Sequence, residues 1–240
     1  MTKPKFNERW PRDNHILAAI YRALCLPIWA VDMLFFAACN NPSTVNRVVS
    51  RMRKAGLVSR HPLYGRFIYL RMGPEAATKY GLKPTDCEPL DYHRLLAAMA
   101  TVMYCFAEPD RIRKRALPSE VEETFSIPTQ HLYSRPYVIR TFPDKPPELL
   151  QIRVAMDAQA GNVLSRHQEA MNEYREHASM RQLIDDGRFV MVTFFPTEAA
   201  WEPARTLFEQ EREKRKYFSQ FETFVYPDLL KIAGQKGALK

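Results

Sequence analysis

The sequence predicts a mixed α+β protein in two parts, and three observations carry that prediction. Apolar residues recur at helical spacing in three consecutive segments between residues 13 and 55, followed by two β-rich segments joined by a tight turn. Beyond residue 136 strand-like and helix-like segments alternate, and one strand, "RFVMVTFF", is nearly continuous in apolar residues. The net positive charge is confined to the first third. Residues 1–83 hold 14 Lys and Arg against 4 Asp and Glu, whereas residues 84–240 hold 21 against 23.

The N-terminal elements follow from spacing and punctuation. Ile16, Leu17, Ile20, Tyr21 and Leu24 make one face of a first helix, with Asp13 or Asn14 available as its cap. Pro27 stands near the start of a second helix, "PIWAVDMLFFA". In the third, Asn41 can cap, Pro42 fits the first helical position, and Gly56 is the stop. Val45, Val48, Val49 and Met52 form its inner side, leaving Ser43, Thr44, Asn46, Arg47, Ser50, Arg51 and Lys54 outside. "LVSRH" and "RFIYLR" then read as strands joined by "PLYG". Three helices followed by a hairpin are the order of a winged helix-turn-helix, whose third helix enters the major groove while the hairpin reaches the neighbouring backbone or minor groove.

The exposed residue types fit such a task. Arg47 and Arg51 can bond guanine bidentately, Asn46 can bond adenine, and Ser43 and Thr44 can hold phosphates without adding charge. Arg60, His61, Tyr64 and Arg66 surround the expected hairpin tip. Excess positive charge near these residues would raise the local potential felt by a polyanion, so the expected partner is double-stranded DNA.

Pro74 and Gly81 bound a short helix that ends this domain near Lys83, and "LKPTDCEP" marks the boundary. From Leu90 to Phe106 an apolar helical stripe contains Leu95, Leu96, Met99, Val102, Met103 and Phe106, a candidate homodimer seam or an internal packing face. The cluster Arg111, Arg113, Lys114 and Arg115 is expected in a solvated loop. Next come strands "PYVIRTF" and "ELLQIRVAM", a helix ending at Gly187, the apolar strand, a helix begun or kinked near Pro203, and a last strand "ETFVYP". The expected organisation is a tail (1–12), a winged helix-turn-helix (13–83), a helical linker or dimerisation segment (84–135), an α/β domain (136–228) and a tail (229–240).

This layout, with a His near the start of the middle helix in "LDYHRLL" and a C-terminal β-β-α-β-α-β order opening on "PD", resembles the replication-relaxation family of bacterial plasmid and mobile-element proteins. The resemblance covers roughly residues 13–228 and implies a restriction-endonuclease-like C-terminal domain. In that fold a Pro-Asp, a second acid and a Lys gather round a divalent metal. The Pro-Asp would be Pro143 and Asp144, but Gln151 and Arg153 stand where the acid and Lys belong; an alternative register gives Ala155 and Asp157. Mg²⁺ needs at least two hard oxygen ligands, so the expected role is a scaffold without the chemistry. The rival is a Mg²⁺-dependent nuclease using Asp144 and Asp157, and a third reading is a protein-interaction adaptor.

Other functions are thinly supplied. There is no GxxxxGK[ST] loop and no GxGxxG, the histidines lack ligand spacing, and His167 and His177 read as surface residues. No cofactor and no small-molecule ligand are expected. The N-terminus is too polar for a secretory signal, no segment reads as membrane-spanning, and Cys25, Cys39, Cys87 and Cys105 form no CxxC pair, which suits free thiols in a cytoplasmic protein. The expected function is that of a DNA-binding regulator, or a replication or transfer factor, without enzymatic activity.

Overall fold

The computed structural model describes residues 11–38, 43–106, 112–132, 135–156, 159–214 and 220–234. The chain is a mixed α+β protein with two sheets. It divides into two compact units, the first through Ala98 and the second from Met99 to Gly234.

In the first unit α1 (Pro11–Ala23), α2 (Ile28–Phe35) and α3 (Ser43–Lys54) precede the hairpin of β2 (Val58–Tyr64) and β3 (Phe67–Met72). The expected cap Asn41 and the expected first helical residue Pro42 lie outside the described residues, as does Cys39. Asp13 sits within the first turn of α1 instead of capping it. Between α1 and α2 a two-residue strand, β1 (Leu26–Pro27), pairs antiparallel with β3 and completes a sheet of order β1-β3-β2. Two residues are too few for any periodicity to register in the sequence.

The turn also differs from expectation. Pro62 lies inside β2, an edge strand where a missing N–H costs no ladder bond, and the two-residue loop is Gly65-Arg66 between paired Tyr64 and Phe67. Gly65 has φ +51°, and Arg66 is not among the positive-φ residues, the pattern of a II′ hairpin turn. A bulge lies between Pro62 and Tyr64. Where the hairpin leaves the sheet, Gly73 permits a close approach: a Cβ there would stand 2.3 Å from the Gly56 carbonyl oxygen. The core of the unit contains Ile16, Ile20, Val31, Val49, Met52, Tyr69 and Leu70, all fully buried. Each apolar side chain removed from water in this way contributes roughly 1.5–3 kcal/mol.

After α4 (Pro74–Tyr80), closed by Gly81 in the left-handed region, a 3₁₀ turn over Pro84–Cys87 leads to α5 (Tyr92–Phe106). The second unit is built on a five-stranded mixed sheet of order β4-β5-β6-β7-β8, with β4 (Arg113–Arg115), β5 (Tyr137–Arg140), β6 (Glu148–Val154), β7 (Phe189–Phe195) and β8 (Phe221–Val225). β5 pairs antiparallel with β4 and with β6, and β6, β7 and β8 are parallel. The expected solvated loop is therefore partly strand. Arg113–Arg115 pairs with β5, the Arg113 guanidinium lies 4.1 Å from the centroid of the Tyr104 ring, and Lys114 meets Glu120 at 3.3 Å. Arg111 lies outside the described residues.

Every residue of β7 is buried, as its continuous apolar run requires of a strand covered on both faces. One face meets α6 (Pro118–Phe125), α7 (Ala160–Arg175) and α8 (Ala178–Asp185) through Val121, Met171, Tyr174, Leu183 and Ile184. The single helix expected up to Gly187 is thus two, broken at Glu176 and His177. On the other face Tyr104 of α5 meets the rings of Phe194 and Phe224 edge-on. Helix α9 (Glu198–Lys214) carries Pro203 in its first turns, and α10 (Asp228–Ala233) occupies part of what was expected as a tail.

Candidate nucleic-acid interface

Helix α3 is oriented by its four buried residues, Val45, Val48, Val49 and Met52. At about 100° per residue the direction opposite to them is held by Ser43, Arg47, Ser50 and Lys54, spaced four, three and four residues apart. Asn46 and Arg53 lie on one flank of that stripe, Thr44 and Arg51 on the other. Ser43, Asn46, Arg47, Arg53 and Lys54 are exposed; Thr44 and Ser50 are half-buried. The helix has no acidic residue to neutralise this face. Part of the charge has a structural use, since Arg53 and Lys54 in the last turn favour the negative end of the helix dipole.

Arg51 requires a correction. It does not stand clear on the outer face: its Nη2 lies 2.6 and 2.8 Å from the two carboxylate oxygens of Asp13, which is 6% exposed. This guanidinium braces α3 against α1. Arg53, passed over in the sequence, is exposed on the flank opposite, and the same angular arithmetic could have found it.

The hairpin divides into an open end and a covered end. Arg60 and Arg66 are exposed, and Tyr64 packs on Phe67 with ring centroids 5.0 Å apart. His61 is corrected from the tip to the covered end. Its Nε2 lies 3.0 Å from Ser59 Oγ and 3.1 Å from the Cys87 carbonyl, and its ring leans on Tyr69. Ser59 Oγ also donates to the Cys87 carbonyl, Arg71 to the Glu88 carbonyl, and the Leu90 amide to Tyr69 Oη. Burial lowers the His61 pKa, with Arg71 adding to the effect, and raises that of Tyr69 to about 12. Four side chains on paired positions of β2 and β3 thus fasten the segment that leads into α5. Replacing His61 with Ala should lower the protection of the Leu90 amide against hydrogen exchange by about 1 kcal/mol, measured in the full chain.

The proposed dimer seam is also corrected: Leu95, Leu96, Met99 and Val102 are at most 2% exposed within a single chain, and Met103 and Phe106 are half-buried. No described helix is long and apolar enough to cross a membrane.

In the second unit Asp144 is exposed in the turn before β6, and Asp157 lies outside the described residues. Gln151 is fully buried and donates to the hydroxyls of Tyr174 and Tyr137. It accepts from Arg153 Nε at 2.9 Å, and burial with Arg135 nearby lowers the Arg153 pKa to about 10. An amide, a guanidinium and two phenols thus form one polar group inside the second unit. Among the described residues no three His, Cys, Asp or Glu side chains are grouped to hold a metal.

His167 is the remaining correction. It is 1% exposed, its Nε2 2.7 Å from Thr193 Oγ1 and its Nδ1 3.0 Å from Met191 Sδ, because α7 turns it onto the sheet. Its Phe208 and Phe221 neighbours come from α9 and β8, distant in sequence. His177 is half-buried beside the start of α8. Cys25 and Cys105 are buried and Cys87 is half-buried, and none of the three is in a disulfide. No family model matches the chain, and neither curated proteins nor solved structures give a match.

Proposed function

We propose that the first unit is a winged helix-turn-helix that binds double-stranded DNA, with α3 in the major groove and the β2–β3 hairpin as its wing. The observation that carries the reading is the outer stripe of α3. Ser43, Arg47, Ser50 and Lys54 form one polar and basic line opposite the buried valines, with Asn46 and Arg53 beside it and no carboxylate on the helix. Arg60 and Arg66 on the hairpin extend the same charge. Arg47 at the middle of the stripe is the residue best placed to meet a base edge; Ser43 and Thr44 at the helix start suit phosphate.

The second unit we read as a restriction-endonuclease-like scaffold that keeps the sheet without a metal site. Support comes from the order β5-β6-α7-α8-β7-α9-β8, which differs from the expected β-β-α-β-α-β in its divided first helix, and from Gln151 and Arg153 in place of the acid and Lys. The whole is then a DNA-binding factor of the replication-relaxation type, acting in transcription or in replication or transfer of a mobile element.

Selection of bound fragments from a random-sequence duplex pool tests the reading. A recovered motif, with affinity falling steeply as salt rises, is the expected result. Arg47→Ala should cost about 1–3 kcal/mol on that motif and flatten preference at one position. Equal weakening on all sequences would make Arg47 a phosphate contact, and binding with no salt dependence would reject the reading. Nicking of supercoiled plasmid in Mg²⁺, lost in Asp144→Ala, would instead favour a nuclease.

A further inference from the structure

The face of the hairpin that carries Ser59, His61, Tyr69 and Arg71 continues outward to Tyr64 and Phe67, the last pair before the turn. Its inner end is covered, since residues 87, 88 and 90 lie across it and take its hydrogen bonds. Among the described residues no segment is hydrogen-bonded across the outer end in this way. Phe67 is 43% exposed, one of three large apolar side chains among the described residues left so open, and its ring is backed by Tyr64 at 5.0 Å. Arg66 stands beside it at the tip.

Phosphate contact alone gives no use for this ring. A short polar side chain would hold the strand end equally well and would avoid exposing apolar surface. A cross-strand aromatic pair stabilises a hairpin by only about 0.2–1 kcal/mol. The surface that combines negative charge with flat apolar faces is nucleic acid, whose bases stack on aromatic rings and whose helix steps admit apolar wedges.

We infer that Phe67 is a wedge: when the wing meets double-stranded DNA, the ring, held from behind by Tyr64, seats against the face of a base at a loosened step, while Arg66 neutralises the flanking phosphate. This rests on the DNA-binding reading above and extends it from charge to the bases themselves. The substrate class it names is duplex DNA with an easily opened step. Opening a fully paired step costs a few kcal/mol, so a wedge prefers DNA in which that opening has already occurred. A wing that touches only phosphates is indifferent to it.

The experiment compares the full-length protein on two 24-base-pair duplexes of one sequence, fully paired or with a central T·T mismatch, by fluorescence anisotropy. Wild-type protein should bind the mismatched duplex about five- to ten-fold more tightly. Phe67→Thr, which keeps a β-favouring side chain, should abolish that ratio while retaining affinity for the paired duplex within about threefold and the same salt slope. Phe67→Trp should retain the ratio, which a merely structural role for the ring would not require. Equal binding of both duplexes by the wild type overturns the inference and leaves the DNA-binding reading standing. A preference that persists in Phe67→Thr overturns it also. Absence of binding to either duplex overturns both together.

Discussion

Arg51→Ala should reduce the protection of α1 and α3 amides against hydrogen exchange by about 2–3 kcal/mol, the larger of the effects expected on stability. The substitution leaves the Asp13 carboxylate in place at 6% exposure without the guanidinium that holds both of its oxygens. Removing one partner of a fully buried pair costs about 3–5 kcal/mol, and the 38% exposure of the Arg51 side chain reduces that figure through solvent screening. Arg47→Ala, on the exposed stripe of the same helix, should change stability by no more than about 0.5 kcal/mol. The two arginines lie four residues apart on one helix, yet one braces α1 and the other stands on the exposed stripe. If Arg51→Ala left exchange unchanged and weakened DNA binding as Arg47→Ala does, the assignment of roles would be reversed.

Stability should also fall between pH 7 and pH 5 by up to about 2 kcal/mol through His167. Burial in the second unit, with Arg153 adding to it, lowers its folded pKa well below the ordinary 6.5. The unfolded chain therefore takes up a proton near pH 6.5 that the folded chain refuses. Stability is fully present above that pH and declines below it, at about 1.4 kcal/mol per pH unit, until the folded pKa is reached. His167→Gln, whose side chain can still meet Thr193 Oγ1 and does not titrate, should flatten the slope in urea denaturation followed through the Trp201 unit. An unchanged slope in that variant would place the acid sensitivity elsewhere. His61 acts in the same direction, but its partial exposure makes its share smaller.

The readable parts of this protein were those whose signal is local. The four apolar positions of α3 recur at helical spacing, so the buried face followed from the sequence, and with it most of the opposite stripe. Pro74 and Gly81 bounded α4 by capping chemistry, and the unbroken apolar run of β7 announced a strand covered on both sides. The strands of three and two residues were not legible. β4 reads as a charged loop because its strand character comes from pairing with β5, and β1 exists only because β3 lies beside it. The candidate interface was legible as a face but not residue by residue. Arg51 looks equivalent to Arg47 until α1 brings Asp13 to within 2.6 Å, 38 residues away in sequence.

By itself, then, the sequence determined a basic N-terminal third of three helices and a hairpin, a mixed α/β remainder, and the side of α3 that must face inward. Period, capping and charge are properties of neighbouring residues, and they survive without a partner. Tertiary structure decided which polar groups remain available. It buried His167 against Thr193, turned His61 toward the Cys87 carbonyl, enclosed the stripe of α5, and left the Phe67 ring open at the hairpin tip. Burial depends on what the rest of the chain brings alongside, and residue type alone does not encode that.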